Sequence, residues 1–208
     1  MEPLNEKATA THLERFLGKS EHALFATGDG VHVYIYPANR NRSCQTLVTM
    51  GLSGFEMPVP ESRKKPEEYQ HAELMTLVPA DWPIPREKGA AGFWPYAMLS
   101  SLAEYAATEN IWLGPLHVIP NLTSTPYGQP FESGSLLSHA LLLPPVQEKE
   151  GFRRLKIGRK IVSFLQVIAI TTAECQAMDA KGFFDSIVDC LDDGTIPGII
   201  DPKRKSAL

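Results

Sequence analysis

The sequence predicts an α+β fold, a single domain built on a mixed β-sheet. Three observations carry that expectation. Val31, Val33 and Ile35 alternate with His32, Tyr34 and Tyr36, and HALFAT stands on the far side of Gly28-Asp29-Gly30. Alternation on both sides of a Gly-rich turn is the pattern of a β-hairpin. Residues 160–170, KIVSFLQVIAI, form the most β-like run, long and apolar. Between them FWPYAMLSSLAEYAATEN carries two adjoining stripes at helical spacing, one of Trp94, Met98, Ser101 and Tyr105, the other of Leu99, Leu102 and Ala106. An apolar arc that wide predicts a largely covered helix over Phe93–Ala107. No repeat, low-complexity tract or linker divides the 208 residues, a length that suits one large domain or two small ones.

The remaining elements follow in order. Leu4, Ala8, Leu13, Phe16 and Leu17 recur at helical spacing, and Gly18 can close that helix. ANRNRS (38–43) is a polar loop, and CQTLVTMGLS reads as a third strand ending near Gly51. EMPVPESRKKPEEYQ, with three Pro and many charges, is an exposed connection to a fourth strand, HAELMTLVPA, apolar enough at Met75–Val78 to be central. IWLGPLHVIPN is a structured loop with room for one short strand; NLTSTPYGQPFESGS is turn-rich and exposed; SHALLLPP is a strand stopped by Pro144-Pro145. VQEKEGFRRLKIGRK is charged and predicted to lie on the surface, its cluster Arg153, Arg154, Lys156, Arg159 and Lys160 reading as a solvated strand edge. The alternative for that cluster is a docking patch for an acidic partner. Thr171-Thr172-Ala173-Glu174 resembles an N-cap with an acidic first turn. Short helices follow around Ala173–Ala180 and Phe183–Leu191, then a polar, basic tail, IIDPKRKSAL.

Composition excludes several functions. Hydrophobic residues are 43% and charged residues 21%, ordinary for a globular chain. A net charge of −4 argues against nucleic acid as a partner. No apolar run approaches the roughly 20 residues of a membrane helix, so no membrane partner is expected, and the polar N-terminus is no secretory signal. The widely spaced Cys44, Cys175 and Cys190 read as reduced thiols of a cytoplasmic protein. Gly18-Lys19-Ser20 lacks the earlier glycine of a phosphate loop, Leu standing at 13. Gly28-Asp29-Gly30 lacks the third glycine and the helix of a dinucleotide loop. Gly51-Leu52-Ser53-Gly54 misses the nucleophile elbow by one position. The six His are scattered without metal-ligand spacing, so no metal, cofactor or catalytic residue is expected.

The candidate site lies in two Pro/Gly-fixed loops that carry Asp81, Trp82, Trp112, His117 and Asn121. Gly114 and Pro115 restrain the backbone between an aromatic and an imidazole. Loops on a rigid scaffold are where binding residues concentrate, and Trp anchors dominate interfaces. The competing reading is structural: Trp in the core and His117 satisfied by a backbone carbonyl.

An ordered set of segments resembles the suppressor of fused family: TLVTMGLS (46–53) with Met57, AELMTLVPADW (72–82), WPYAMLSSLAEY (94–105), WLGPLHVIPN (112–121), FLQVIAITTAE (164–174) and DPKRKSAL. Leu116 stands where that pattern has Gly, and Ala169 where it has Pro. The resemblance implies one domain over residues 1–208, a mixed, mostly antiparallel β-sheet packed against helices, and no enzymatic activity. Animal members clamp an extended peptide of a transcription factor as an added strand; short bacterial members look like immunity proteins that neutralise toxins in bacterial competition. The resemblance therefore implies a protein-binding domain whose partner is a toxin. One alternative is a regulatory module that captures a peptide strand of an endogenous partner. Another, from a different class, is a hydrolase using His117 with a cysteine or carboxylate.

Overall fold

The longest apolar run becomes the longest strand, and the sheet is arranged about it. The computed structural model describes residues 6–26, 30–85, 87–121, 128–178 and 189–207. Its strands are β1 (His22–Ala26), β2 (His32–Tyr36), β3 (Cys44–Met50), β4 (His71–Pro79), β5 (Val118–Pro120), β6 (Leu137–Leu143), β7 (Arg154–Ile157) and β8 (Lys160–Thr171). Its helices are α1 (Glu6–Leu17), α2 (Trp94–Thr108) and α3 (Thr172–Met178). The strands form one sheet in the order β1-β2-β3-β4-β8-β6-β5, with β7 also paired to β8. Among the described strands only β4 and β8 run parallel to each other, and every other strand pair is antiparallel. This is the α+β class with a mixed, mostly antiparallel sheet that the sequence predicts.

Both faces of the sheet are covered, which is why β3, β6 and most of β4 and β8 are buried at consecutive positions. One face packs Leu47, Leu74, Leu142 and Val167 against Leu99, Leu102 and Ala106 of α2. On the other, Val48, Met75 and Phe164 meet Leu13 and Leu17 of α1. Further along that face Leu141, Ile168 and Ile170 pack near Cys175 and Met178 of α3. α1 ends as expected: Gly18 adopts φ 93 and donates its N–H to the Glu14 carbonyl at 3.0 Å.

Polar residues inside such strands need internal partners. Glu73, fully buried, accepts Thr49 Oγ1 at 2.7 Å, the Gly51 N–H at 3.0 Å, and the Ser53 N–H and Oγ at 3.1 and 2.7 Å. Burial drives its pKa above the ordinary carboxylate range, against the pull of those donors. The β3–β4 ladder closes at Val48–Met75, and the carboxylate with Thr49, which accepts the Leu74 N–H at 2.8 Å, takes over from it.

β4 and β8 pair over His71–Met75 and Val162–Gln166. Beyond that the C-terminal segment fills the fork. Ile200 donates its N–H to the Leu77 carbonyl at 2.8 Å, and Gln166 Nε2 donates to the Gly198 carbonyl at 3.0 Å. α3 opens with a capping box: the Glu174 N–H donates to Thr171 Oγ1 at 3.2 Å and the Thr171 N–H donates to Glu174 Oε2 at 2.8 Å.

Two segments depart from expectation. The charged stretch after β6 is not wholly surface: Phe152 is fully buried and 154–157 form β7, whose Arg and Lys face solvent while Leu155 and Ile157 pack inward. Arg154, Lys156, Arg159 and Lys160 are exposed along this strand and its turn, as a solvated edge requires, while Arg153 is half-buried ahead of it. In the turn-rich stretch before β6, Phe131 packs on the core and Ser135 is buried. The predicted start of the first helix, at residues 1–5, and residues 179–188 of the region expected to be helical near Phe183–Leu191 lie outside the described residues.

Candidate protein-binding surfaces

The five candidate residues divide between the two ends of β4. Trp82 follows the strand by three residues; Trp112 packs edge-on to Tyr69, which precedes it by two, with centroids 6.3 Å apart. The nine residues of β4 span about 26 Å at the usual strand rise. The two tryptophans therefore belong to opposite ends of the sheet, joined by α2.

At one end Trp82 is held by its turn. Its N–H donates to the Pro79 carbonyl at 3.0 Å, its indole Nε1 to the Gly92 carbonyl at 2.9 Å, and its own carbonyl accepts Gln45 Nε2 at 3.0 Å. Gly92 has φ 78, and a Cβ there would collide with Pro83, so the turn requires glycine. Trp82 meets Trp94 edge-on with centroids 6.1 Å apart, and Phe131 stacks on Trp94 at 5.3 Å. Asp81 is exposed, and among the described residues nothing pairs with its carboxylate. Asn121 donates its side-chain amide to the Gln129 carbonyl at 2.9 Å and its backbone N–H to the Ser138 carbonyl at 2.8 Å.

Asn121 also closes a groove of about 290 Å³ between α2 and β5. Trp94, Ala97, Met98, Ser101 and Tyr105 line one side; Ile119, Pro120, Asn121 and Phe131 line the other. The stripe that the sequence assigns to a covered helix face is covered only at Trp94 and Met98; Ser101 is exposed and Tyr105 half-exposed, because β5 is too short to cover them. β5 pairs only with β6 among the described strands. Asn121 donates to Ser138 and Leu142 donates to His117 across that ladder. Antiparallel alternation then turns the backbone N–H and C=O of Val118, and the C=O of Pro120, outward along the edge. Proline suits that position because no N–H is needed there.

At the other end, Trp112 and His117 lock their own loop. Their rings are edge-on with centroids 4.8 Å apart, the Gly114 N–H donates to His117 Nδ1 at 3.3 Å, and the Trp112 backbone also hydrogen-bonds the ring. Burial lowers the His117 pKa and the nearby Arg63 adds to this, while the Trp112 bond opposes it. Among the described residues no thiol or carboxylate hydrogen-bonds this imidazole. A Cβ on Gly114 would fall inside the Trp112 ring. Leu116 adopts φ 77, the left-handed conformation glycine takes freely; the departure at this position leaves the backbone geometry in place and loads it onto a leucine. The guanidinium of Arg63 lies over Tyr69 at 4.6 Å and over Trp112 at 5.7 Å, a contact outside the sequence-level reading because Arg63 looks like one charge among many in an exposed connection.

Among the described residues no group of three or more His, Cys, Asp or Glu converges as a metal site, and no described helix is long and apolar enough to cross a membrane.

No curated protein matches the sequence. Three solved structures share the fold at low identity. A suppressor of fused homologue from Neisseria gonorrhoeae FA 1090 is 14% identical with a TM-score of 0.68, over 98% of this chain and 96% of that one. A chain of the Sufu–Fu complex is 16% identical with a TM-score of 0.63, over 99% and 93%. Drosophila Suppressor of Fused is 15% identical with a TM-score of 0.63, and the chain spans 51% of it. The family model described as suppressor of fused protein matches residues 27–205, so this chain belongs to the suppressor of fused family.

Proposed function

We propose that the chain is a non-enzymatic binder that takes an extended segment of a partner protein along β5, and that its partner is a toxin for which it is the immunity protein. The observation that carries the first part is the outward edge of β5 beside a groove lined by aromatics. Val118 and Pro120 offer backbone groups for one added strand, while the groove accepts alternate side chains against Trp94, Tyr105 and Phe131. Trp82, Asp81 and Asn121 border this surface; Trp112 and His117 would meet a partner only at the far end of α2. A relative solved in complex with Fu supports a family habit of binding proteins. The toxin reading rests on the resemblance to the short bacterial members of the family.

Val118→Pro tests the proposal, since it removes an outward N–H and spares the ladder to β6. Each gene flanking this one is tested for toxicity, and a toxic product is then expressed with wild type or variant. Wild type is expected to bind the toxin and restore growth, and Val118→Pro, folded and melting normally, to do neither. Equal protection by both would remove β5 from the interface; binding of a non-toxic partner in the same groove would leave the segment-capture reading and overturn the immunity role.

A further inference from the structure

β7 and β6 pair with the same edge of β8, β7 at Lys160–Ser163 and β6 at Gln166–Thr171. Between them, at Phe164 and Leu165, the edge has a notch: the Phe164 N–H donates to the Arg153 carbonyl at 3.0 Å, and the facing residue beyond β6, Pro145, has no N–H to continue the ladder. Over the notch lies a cleft of about 360 Å³, walled by Arg63 and Tyr69 on one side and Arg153 and Arg154 on the other. It is at the end of the sheet opposite to the β5 groove.

The charges in this cleft are unequally matched. Arg154 pairs with Glu68 at 2.8 Å. Arg153 donates from Nη2 to the Val146 and Glu148 carbonyls, at 2.7 and 3.2 Å, and its Nε is buried without an acceptor. Arg63 is held by aromatic faces, 4.6 Å from the Tyr69 centroid and 5.7 Å from that of Trp112. Neither Arg63 nor Arg153 has a carboxylate partner among the described residues. The one acid in the lining, Glu150, is exposed and forms no ion pair among the described residues. A guanidinium stacked on rings keeps its in-plane N–H edge available and loses little freedom on binding, which suits a bidentate carboxylate. Two uncompensated cations are concentrated here in a chain whose net charge is −4.

We infer that this cleft is a second docking site, taking an aspartate or glutamate side chain from an acidic segment of a protein partner, with Arg63 and Arg153 as its cations. It does not depend on strand capture at β5, and a partner reaching both sites would straddle α2.

The probe is a hexaglutamate peptide titrated into the full chain and followed by NMR and by Trp fluorescence. Saturable binding that shifts the Trp112 indole and weakens as salt rises is expected. Arg63→Gln should weaken it about tenfold without a change in melting, and Arg63→Lys, which keeps charge but not the planar fork, should fall between. Val118→Pro should bind the peptide normally, so this result stands or falls apart from that for β5. The inference is overturned if Arg63→Gln binds as tightly as wild type. It is equally overturned if Lys156→Gln with Arg159→Gln abolishes binding, if inorganic phosphate occupies the site as tightly as the peptide, or if no saturation is reached at millimolar peptide.

Discussion

Glu174 and Arg204 form an ion pair with side chains 0% and 7% exposed, its oxygens and nitrogens 2.5 and 2.7 Å apart. The same carboxylate accepts the Thr171 and Ala207 N–H groups, both at 2.8 Å, so one side chain caps α3 and anchors the C-terminal tail. Arg204 also donates to the Ala169 carbonyl at 3.1 Å. The segment DPKRKSAL, polar and basic in sequence, is therefore part of the architecture. Arg204→Ala should destabilise by about 3–5 kcal/mol, because it strands a buried carboxylate. Replacing both partners by apolar residues should cost less than that single change. Burial raises the Glu174 pKa, but Arg204 and the two amides outweigh it and leave it lowered. A lowered acid stabilises the fold above its unfolded value of about 4.3 and loses that stabilisation as pH falls through the folded value. Wild type should thus lose its advantage over Arg204→Ala on acidification below about pH 4; denaturant unfolding at pH 7 and pH 3 checks both claims.

Glu73 has the opposite sign. Its pKa is raised by burial, so the stability it contributes is complete below the unfolded value near 4.3 and is lost as pH rises through the folded one. Gln is permanently neutral and its Oε1 can still accept from Gly51 and Ser53. Melting of Glu73→Gln relative to wild type should improve steadily from pH 4 to pH 8. Glu73→Leu leaves four donors unmatched, at about 1–3 kcal/mol each where buried, and should be far less stable at every pH. A wild type that stays ahead of Gln at pH 8 would mean that those donors hold the ionised form.

Trp94 and Tyr105 share a helical stripe yet should behave differently. Trp94 is 6% exposed, stacked on Phe131 and edge-on to Trp82, so Trp94→Ala should cost about 3–5 kcal/mol. Tyr105 lies half-exposed on the groove, and its truncation should leave stability within about 1 kcal/mol while weakening partner binding about tenfold. Melting and affinity measured on both variants separate the roles; a Trp94→Ala protein that melts like wild type would mean that the packing of this end is misread.

What the sequence makes legible here is local. Alternation finds β2, continuous apolar runs find β4 and β8, helical spacing finds α2, and Thr171-x-x-Glu174 declares its cap. β7 is a four-residue strand whose outward positions are Arg154 and Lys156, so charge masks a period-2 signal too short to register. The parallel β4–β8 pairing, and the bond from Ile200 of the tail to Leu77, join residues more than 90 apart that no local pattern links. The site shows the same division. Trp82 and Trp112 both follow Pro/Gly loop signals, but their placement at opposite ends of β4 comes from register alone. Arg63 becomes a candidate only once Tyr69 and Trp112 meet beneath it.

Leu116 supplies the sharpest test of what the Trp112–His117 loop requires. It adopts φ 77 and is 42% exposed, and its N–H donates to the Leu142 carbonyl at 2.7 Å. A non-glycine residue in that conformation costs about 1–2 kcal/mol. Leu116→Gly removes the strain, while the unfolded chain gains freedom worth about 0.4–1 kcal/mol, and about 1 kcal/mol of partial burial is lost. These effects nearly cancel, so Leu116→Gly should unfold within about 1 kcal/mol of wild type. Leu116→Val keeps apolar surface but puts a β-branched side chain where φ is positive, which such residues tolerate least, and should cost about 2 kcal/mol. If apolar contact rather than backbone conformation governed this position, the order would reverse, with Val close to wild type and Gly clearly weaker. Denaturant midpoints of the two variants decide between these outcomes. The line-shape of the Trp112 indole resonance reports whether the loop stays locked, and the Gly variant should keep it sharp.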